Sequence, residues 1–194
     1  MKRNIILSIT ILLLAWNVSK AQISKFKFHS INNIGLLEGG SDESLQLQTI
    51  NGVSYKSFFG GVGVGLDNYY RKSIPLFVDV RKNFSGKRNT AFVYLDLGAV
   101  YPWDKTAGDQ WSSSQYKTGF LYDGGIGYSL PIGGRFSMNL SAGYSQRTLK
   151  EVNETGRWYF FTDNMPFAPS SPAKDTVYNK YNFNRFSFKI GFSF

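Results

Sequence analysis

Arg185–Phe194 reads RFSFKIGFSF, and the period of this stretch decides the fold. Successive side chains of an extended strand point to opposite faces. Phe186, Phe188, Ile190, Phe192 and Phe194 therefore share one side, and Ser187, Lys189, Gly191 and Ser193 the other. A half-buried strand in a water-soluble domain alternates as well. Five large apolar groups in succession on one face suit a different setting, with hydrocarbon on one side and a polar interior on the other.

The same period of two recurs upstream. In 91–101, Ala91, Val93, Leu95, Leu97, Ala99 and Tyr101 oppose Phe92, Tyr94, Asp96, Gly98 and Val100. In 119–132, Phe120, Tyr122, Ile126, Tyr128, Leu130 and Ile132 oppose small or polar residues, and in 135–147 Phe136, Met138, Leu140, Ala142 and Tyr144 do so. Shorter runs at 60–67 and 75–84 repeat the pattern. In 45–55 Ile50 falls among the polar set, and 25–37 alternates at Phe26 and Phe28 before mixing. With 185–194 these make eight segments, each able to supply the roughly 9–11 residues of a tilted membrane-crossing strand. An even number of antiparallel strands can close on itself with both ends on one side, leaving no edge for lipid to solvate. Connections at 56–57, 85–89 and 133–134 are short, whereas 102–118 and 151–180 are long. The expected fold is all-β: a closed eight-stranded antiparallel transmembrane β-barrel with up-and-down meander order, short turns and both termini on the periplasmic side. Tyr69, Tyr70, Tyr101 and Trp103 are expected at the outer rim and Phe84, Phe136 and Phe194 at the inner one.

The N-terminus reads as a cleavable signal peptide over 1–21. Lys2 and Arg3 precede a short apolar run, and Ser19 and Ala21 offer small residues for cleavage after Ala21. The barrel domain is then 22–194. Lys2, Arg3 and Lys20 account for three of the formal charges in a net +9. The chain has no Cys, which excludes a lipoprotein anchor and disulfide staples. No further apolar run of about 20 residues provides a helical span.

On the stretches GGVGVGLD (60–67), FVYLDLG (92–98) and FKIGFSF (188–194), with the signal and the eight alternating segments, the chain resembles small outer-membrane barrels of the OmpA transmembrane-domain and OmpX kind, particularly the short barrels of Bacteroidetes. The resemblance covers 22–194. It implies that Phe186, Phe188, Ile190, Phe192 and Phe194 form the signal read by the barrel-assembly machinery. No peptidoglycan-binding domain follows the last strand, so an anchoring role is not implied.

Eight strands enclose an interior just wide enough to be filled by side chains. Asp67, Asp79, Arg81, Asp96, Asp123, Arg147, Arg185 and Lys189 fall on inward positions. Two readings of this mixture remain open: a salt-bridged plug, because buried charges are costly unless paired, or a narrow polar passage gated by exchange of pairs. Under either, Gly61, Gly63, Gly65, Gly125 and Gly127 are expected to make room for the long Arg and Lys side chains.

Catalysis finds little support. Some barrels of this size modify lipid A with His, Ser and a carboxylate. The single His, His29, lies near the expected periplasmic end without further triad elements at a recognisable spacing. No catalytic residue, cofactor or metal is expected. GGVGVGLDNYY lacks both phosphate-loop spacings and no helix follows it. The outer segments sum to near neutrality, which argues against a nucleic-acid partner. Lys82, Lys87 and Arg88 lie at periplasmic turns, solvated or against anionic headgroups. Long loops within compact proteins are often functional. In 151–180 the aromatic residues Trp158, Tyr159, Phe160 and Phe161 offer contacts to a surface protein or glycan, or to lipopolysaccharide and other outer-membrane lipids. The expectation is a non-enzymatic protein of the outer membrane with a structural or surface-interaction role. A narrow passive channel, a lipid-modifying enzyme and a soluble periplasmic β-protein are the rivals.

Overall fold

The computed structural model describes residues 26–40, 43–69, 71–84, 90–103, 106–108, 112–156 and 174–194. Ten strands follow one another: β1 (Phe26–Glu38), β2 (Ser44–Tyr55), β3 (Phe58–Asn68), β4 (Lys72–Phe84), β5 (Thr90–Pro102), β6 (Thr106–Gly108), β7 (Ser112–Lys117), β8 (Gly119–Gly133), β9 (Phe136–Gly156) and β10 (Lys174–Ser193). Eight of them form a closed antiparallel barrel in meander order, β1-β2-β3-β4-β5-β8-β9-β10, and β10 returns to β1. The closing register runs from Ile31 opposite Ser193 to Glu38 opposite Phe186. It is completed by two backbone hydrogen bonds, Ser30 N–H to the Phe194 carbonyl at 2.9 Å and Phe194 N–H to the Ser30 carbonyl at 3.0 Å. The stretch that decided the fold is thus the one that shuts the ring.

Tight turns set the hairpin registers. At the β8–β9 turn Gly134 has φ 57°, and at the β2–β3 turn Lys56 has φ 54°. The twist of paired strands favours such left-handed turn residues, and Lys56 meets the demand without a glycine.

Two expectations are corrected here. The 102–118 and 151–180 connections carry strand: β6 and β7 form a small hairpin, β7 pairs with β9 beyond the ring, and β9 and β10 stay paired from Ser137–Ser193 out to Gly156–Lys174. Past Arg147 the outward residues of β9 run Thr148, Lys150, Val152 and Glu154, so regular alternation of hydropathy ends while the backbone ladder continues. Spanning takes about 9–11 residues, so the paired β9–β10 arm runs on for roughly another 10 residues, on the order of 30 Å along the strands. β7 nearly prolongs β8, with one extra residue between them: Lys117 faces Lys150, but Leu121 faces Arg147. At that bulge Phe120 N–H donates to Thr148 Oγ1 at 2.8 Å.

The outward face is an apolar belt, broken on β1 and β2 by Asn32, Thr49 and Asn51, where Thr49 O–H donates to Asn32 Oδ1 at 2.9 Å. Leu45 and Ile126 are 67% exposed, and Val62, Val78, Phe186, Phe188, Ile190, Phe192 and Phe194 are all exposed. Contiguous apolar exposure on this scale is foreign to a water-soluble monomer. Rings mark one border: Phe136 and Phe194 lie 5.9 Å apart, Phe26 stacks on Tyr55 at 5.0 Å, and Lys82 lies 5.6 Å from each of the Phe58 and Phe84 rings.

The inward face is less polar than alternation alone implied. Ile31, Ile50, Phe59, Phe77, Val100 and Leu121 are buried as an apolar cluster inside the barrel. Ile50 sits among the polar residues of β2 because it belongs to this cluster, and Ile31 and Leu37 explain why β1 loses its clean pattern. The glycines serve the same packing. A Cβ at Gly63 would overlap the Phe77 ring, and one at Gly127 the Phe92 ring. Gly61, Gly63 and Gly127 make room for aromatic rings, and Gly65 and Gly125 for the backbone of the neighbouring strand, not for Arg and Lys as expected. Gly63→Ala should therefore destabilise the barrel by about 1–3 kcal/mol through overpacking, read as a lowered midpoint of urea unfolding in micelles. Gly60→Ala, where a Cβ meets nothing within 4 Å, should change it little.

Candidate functional site

The lumen is where the chain concentrates its charge. Asp67, Asp79, Arg81, Asp96, Asp123, Arg147, Arg185 and Lys189 are all buried there, four anions against four cations. The strand registers explain the crowding. Asp79 on β4 faces Asp96 on β5, which faces Asp123 on β8, so three carboxylates stand side by side on one wall. Like charges directly opposite are destabilising, and burial raises the cost.

Two cations answer that row. Arg81, two residues along β4, closes on Asp79 with Nε at 3.0 and 2.9 Å from the two carboxylate oxygens and Nη2 at 2.7 Å. Lys189 reaches across from β10, its Nζ 3.2 Å from Asp96 Oδ2 and 2.8 Å from Asp123 Oδ2. The other Asp123 oxygen accepts from Tyr94 O–H at 3.0 Å and Ser187 O–H at 3.1 Å. Among the described residues no group of three or more His, Asp or Glu has metal-holding geometry; the aspartate row is taken up by Arg81 and Lys189.

A second layer lies toward the long arm. Arg147 pairs with Asp67, and Ser73 O–H donates to the same carboxylate at 2.5 Å. Tyr69 lies against both Arg147 and Arg185, each guanidinium carbon 4.5 Å from its ring centroid, a cation–π arrangement. Its hydroxyl donates to the Ser145 carbonyl at 2.9 Å, and Arg185 donates to the Tyr69 carbonyl. Tyr69 was expected in the outer aromatic rim; it is 4% exposed and points inward. The parity of β3 requires this, since Asp67 two residues earlier is inward. Tyr101 and Trp103 are exposed at that border, and Tyr70 lies outside the described residues.

Between the layers the inward side chains are fully buried. Asp79, Asp96, Asp123, Ser145 and Ser187 are 0% exposed, as are Ile50 and Leu121. At the end with the short turns a vestibule of about 160 Å³ is lined by His29, Arg81, Asn83, Arg135 and Asn139 among others. At the other end only about 30 Å³ remains beside Tyr69, Arg147 and Phe183. Ser54, Ser129, Ser137 and Ser193 share the vestibule with His29, but no carboxylate lines it.

The strip Phe186, Phe188, Ile190, Phe192 and Phe194 is brought together on the outer surface. Trp158, Tyr159, Phe160 and Phe161 lie outside the described residues, as do residues 1–21, Lys87 and Arg88. Tyr94 and Ser187, which complete the Lys189 layer, were absent from the sequence-derived charge set. Parity alone finds them: Tyr94 shares a face with Asp96, and Ser187 with Lys189.

The register and the apolar exterior define the class: a closed eight-stranded antiparallel barrel of small bore, filled by its own side chains. No family model and no curated protein sequence matches the chain. Among solved structures it is similar to the crystal structure of Neisserial surface protein A, NspA, with TM-score 0.47 and 14% identity over 87% of this chain and 96% of that one. It is also similar to the translocator domain of the autotransporter NalP from Neisseria meningitidis, with TM-score 0.25 and 9% identity over 98% and 95% of the two chains.

Proposed function

We propose that the protein is an integral outer-membrane β-barrel, exported by residues 1–21, with a plugged lumen and a structural or surface-interaction role carried by the β9–β10 arm. Backbone groups in hydrocarbon must be satisfied internally, which closed barrels achieve, and the apolar belt supplies the matching exterior. The buried, charge-balanced middle of the lumen is the observation that carries the plugged reading. Side chains at 0% exposure in the middle of the lumen support a packed interior over a passage wide enough for a hydrated ion. The layers are tied across the barrel by Lys189 and Arg147, so opening a path means separating buried ion pairs, a step costing several kcal/mol.

No catalytic residue and no cofactor is proposed. His29 lacks a carboxylate partner in its vestibule, and the buried aspartates are engaged by cations and hydroxyls. The strip ending at Phe194 is proposed as the segment read by the barrel-assembly machinery, and the segment holding Trp158, Tyr159, Phe160 and Phe161 as a contact for lipopolysaccharide, a surface protein or a glycan. A finer kinship with the OmpA and OmpX barrels of Bacteroidetes belongs to the same proposal. The vestibule favours one competing reading, a narrow channel, because it leads inward as far as Arg81. Planar-bilayer recording separates the two. The wild-type protein is expected to insert and give no stepwise conductance, whereas stable steps in the wild type would establish the channel.

A further inference from the structure

Three lysines stand in one line on the outward face of the arm. Lys150 on β9 is directly opposite Lys117 on β7 and, on its other side, directly opposite Lys180 on β10. Directly paired residues point to the same face, and neighbouring strands lie about 4.8 Å apart, so the three Cα atoms span roughly 10 Å. All three are exposed, and none forms an ion pair among the described residues. Like charges in directly opposite positions disfavour the sheet. The nearest acid on that face of β9, Glu154, is four residues farther along and has an interaction of its own. Glu151 faces the other way and is a hydrogen-bond partner of the buried Tyr116, whose pKa is raised by burial and then by that carboxylate.

The height of the row is informative. Outward rows on β9 and β10 pass from Tyr144 and Phe186, whose rings are 6.0 Å apart, through Gln146 and Asn184, then Thr148 and Asn182, to Lys150 and Lys180. Apolar, amide, hydroxyl and cationic groups follow in the order of a membrane's own layers, with the cations at headgroup depth. Beside the row lies a groove of about 260 Å³, walled by the three lysines with Glu151, Val152, Tyr178 and Asn179, three cations against one carboxylate that is shared with Tyr116.

From the registered row and its groove we infer a binding site for the phosphorylated headgroup of an outer-leaflet lipid, with Lys117, Lys150 and Lys180 contacting phosphate oxygens. Tyr178, 75% exposed and one outward position farther from the barrel than Lys180, lies against the sugar of the same lipid. The inference rests on the membrane reading above and gives the arm a ligand class.

The test incorporates the full-length mature protein into nanodiscs containing bisphosphorylated lipid A, with dephosphorylated lipid A as the comparison, and measures retained lipid by mass spectrometry. Each lysine near a charged lipid surface contributes about 1 kcal/mol. The K117Q/K150Q/K180Q variant should therefore lose at least about tenfold in lipid A retention, and the corresponding triple Arg variant should keep it. Dephosphorylated lipid should be retained no better by wild type than by the Gln variant. A Lys82→Gln control, at the opposite border, should match wild type. Equal retention by wild type and the Gln variant would overturn the assignment. So would displacement by millimolar inorganic phosphate, which would mark a free anion as the ligand. Heat-modifiable gel mobility reports that each variant folds. Failure of every variant and the wild type to enter nanodiscs would instead count against the membrane reading.

Discussion

Lys189→Met is expected to destabilise the barrel by about 3–5 kcal/mol, the cost of removing one partner from a buried ion pair. The effect should be at the upper end because Lys189 serves two carboxylates. Asp96 and Asp123 are cross-strand neighbours at 0% exposure, and its ammonium is 3.2 and 2.8 Å from them. Met keeps most of the apolar stem, so the loss reports charge and not volume. Arg81 cannot substitute, since its Nε and Nη2 are committed to Asp79. Replacing a buried ionic group as a whole is often nearly neutral. The triple variant K189M/D96N/D123N should therefore recover most of the stability lost by Lys189→Met. Urea unfolding in detergent micelles measures both. A loss below about 1 kcal/mol for the single variant, or a triple variant no more stable than the single, would show that the aspartate row does not depend on Lys189.

The next largest effect is expected on the outside. Val78 is the centre of the outward series Ile74, Leu76, Val78, Val80 and Lys82 on β4, paired with Val62 and Leu97, and is exposed. If hydrocarbon solvates this belt, Val78→Arg should cost about 2–4 kcal/mol in lipid vesicles, whereas Phe84→Arg at the aromatic border should cost about 0–1 kcal/mol. The gradient with depth is the signature. An exposed valine on a water-facing sheet would accept arginine at either position with little change. Unfolding in vesicles read by Trp fluorescence gives the two values, and equal small costs would count against a lipid-facing belt.

The sequence was legible wherever a strand has hydrocarbon on one side. There the side-chain period is enforced along the whole crossing, and β4, β5, β8 and β10 read cleanly. Each of the eight lumen charges could be assigned to the inward face from parity alone. Ile50 and Ile31 were harder because the interior is half apolar, so an apolar residue no longer signals the outside. The arm was missed for a related reason: above the membrane the two faces of β9 and β10 are no longer sorted into apolar and polar, Glu151 and Val152 of opposite parity both being buried, and hydropathy no longer alternates though the ladder persists. Tyr69 was misplaced by composition, an aromatic near a rim, where counting from Asp67 turns it inward. What no one-dimensional reading could supply is register across strands. The outer segments sum to near neutrality, yet pairing sorts Lys117, Lys150 and Lys180 into one row, just as it lines up Asp79, Asp96 and Asp123.

The two rows have opposite consequences. The aspartate row is internal and is met by Lys189 and Arg81, two cations against three carboxylates, so it ties strands across the barrel. The lysine row is external and forms no ion pair among the described residues. One underlies the proposal of a barrel that does not conduct, the other the proposal of an arm that holds a lipid phosphate.

Hydrocarbon must surround the belt if the barrel spans a membrane, and accessibility of spin labels tests this directly. The chain has no Cys, so single cysteines at Val78, Ile126, Phe188 and Lys150 can be labelled cleanly after reconstitution into phospholipid bilayers. The labels at 78, 126 and 188 should collide frequently with oxygen and rarely with an aqueous nickel complex, while the label at 150 should show the reverse. Nickel access at the three belt positions equal to that at 150 would contradict it.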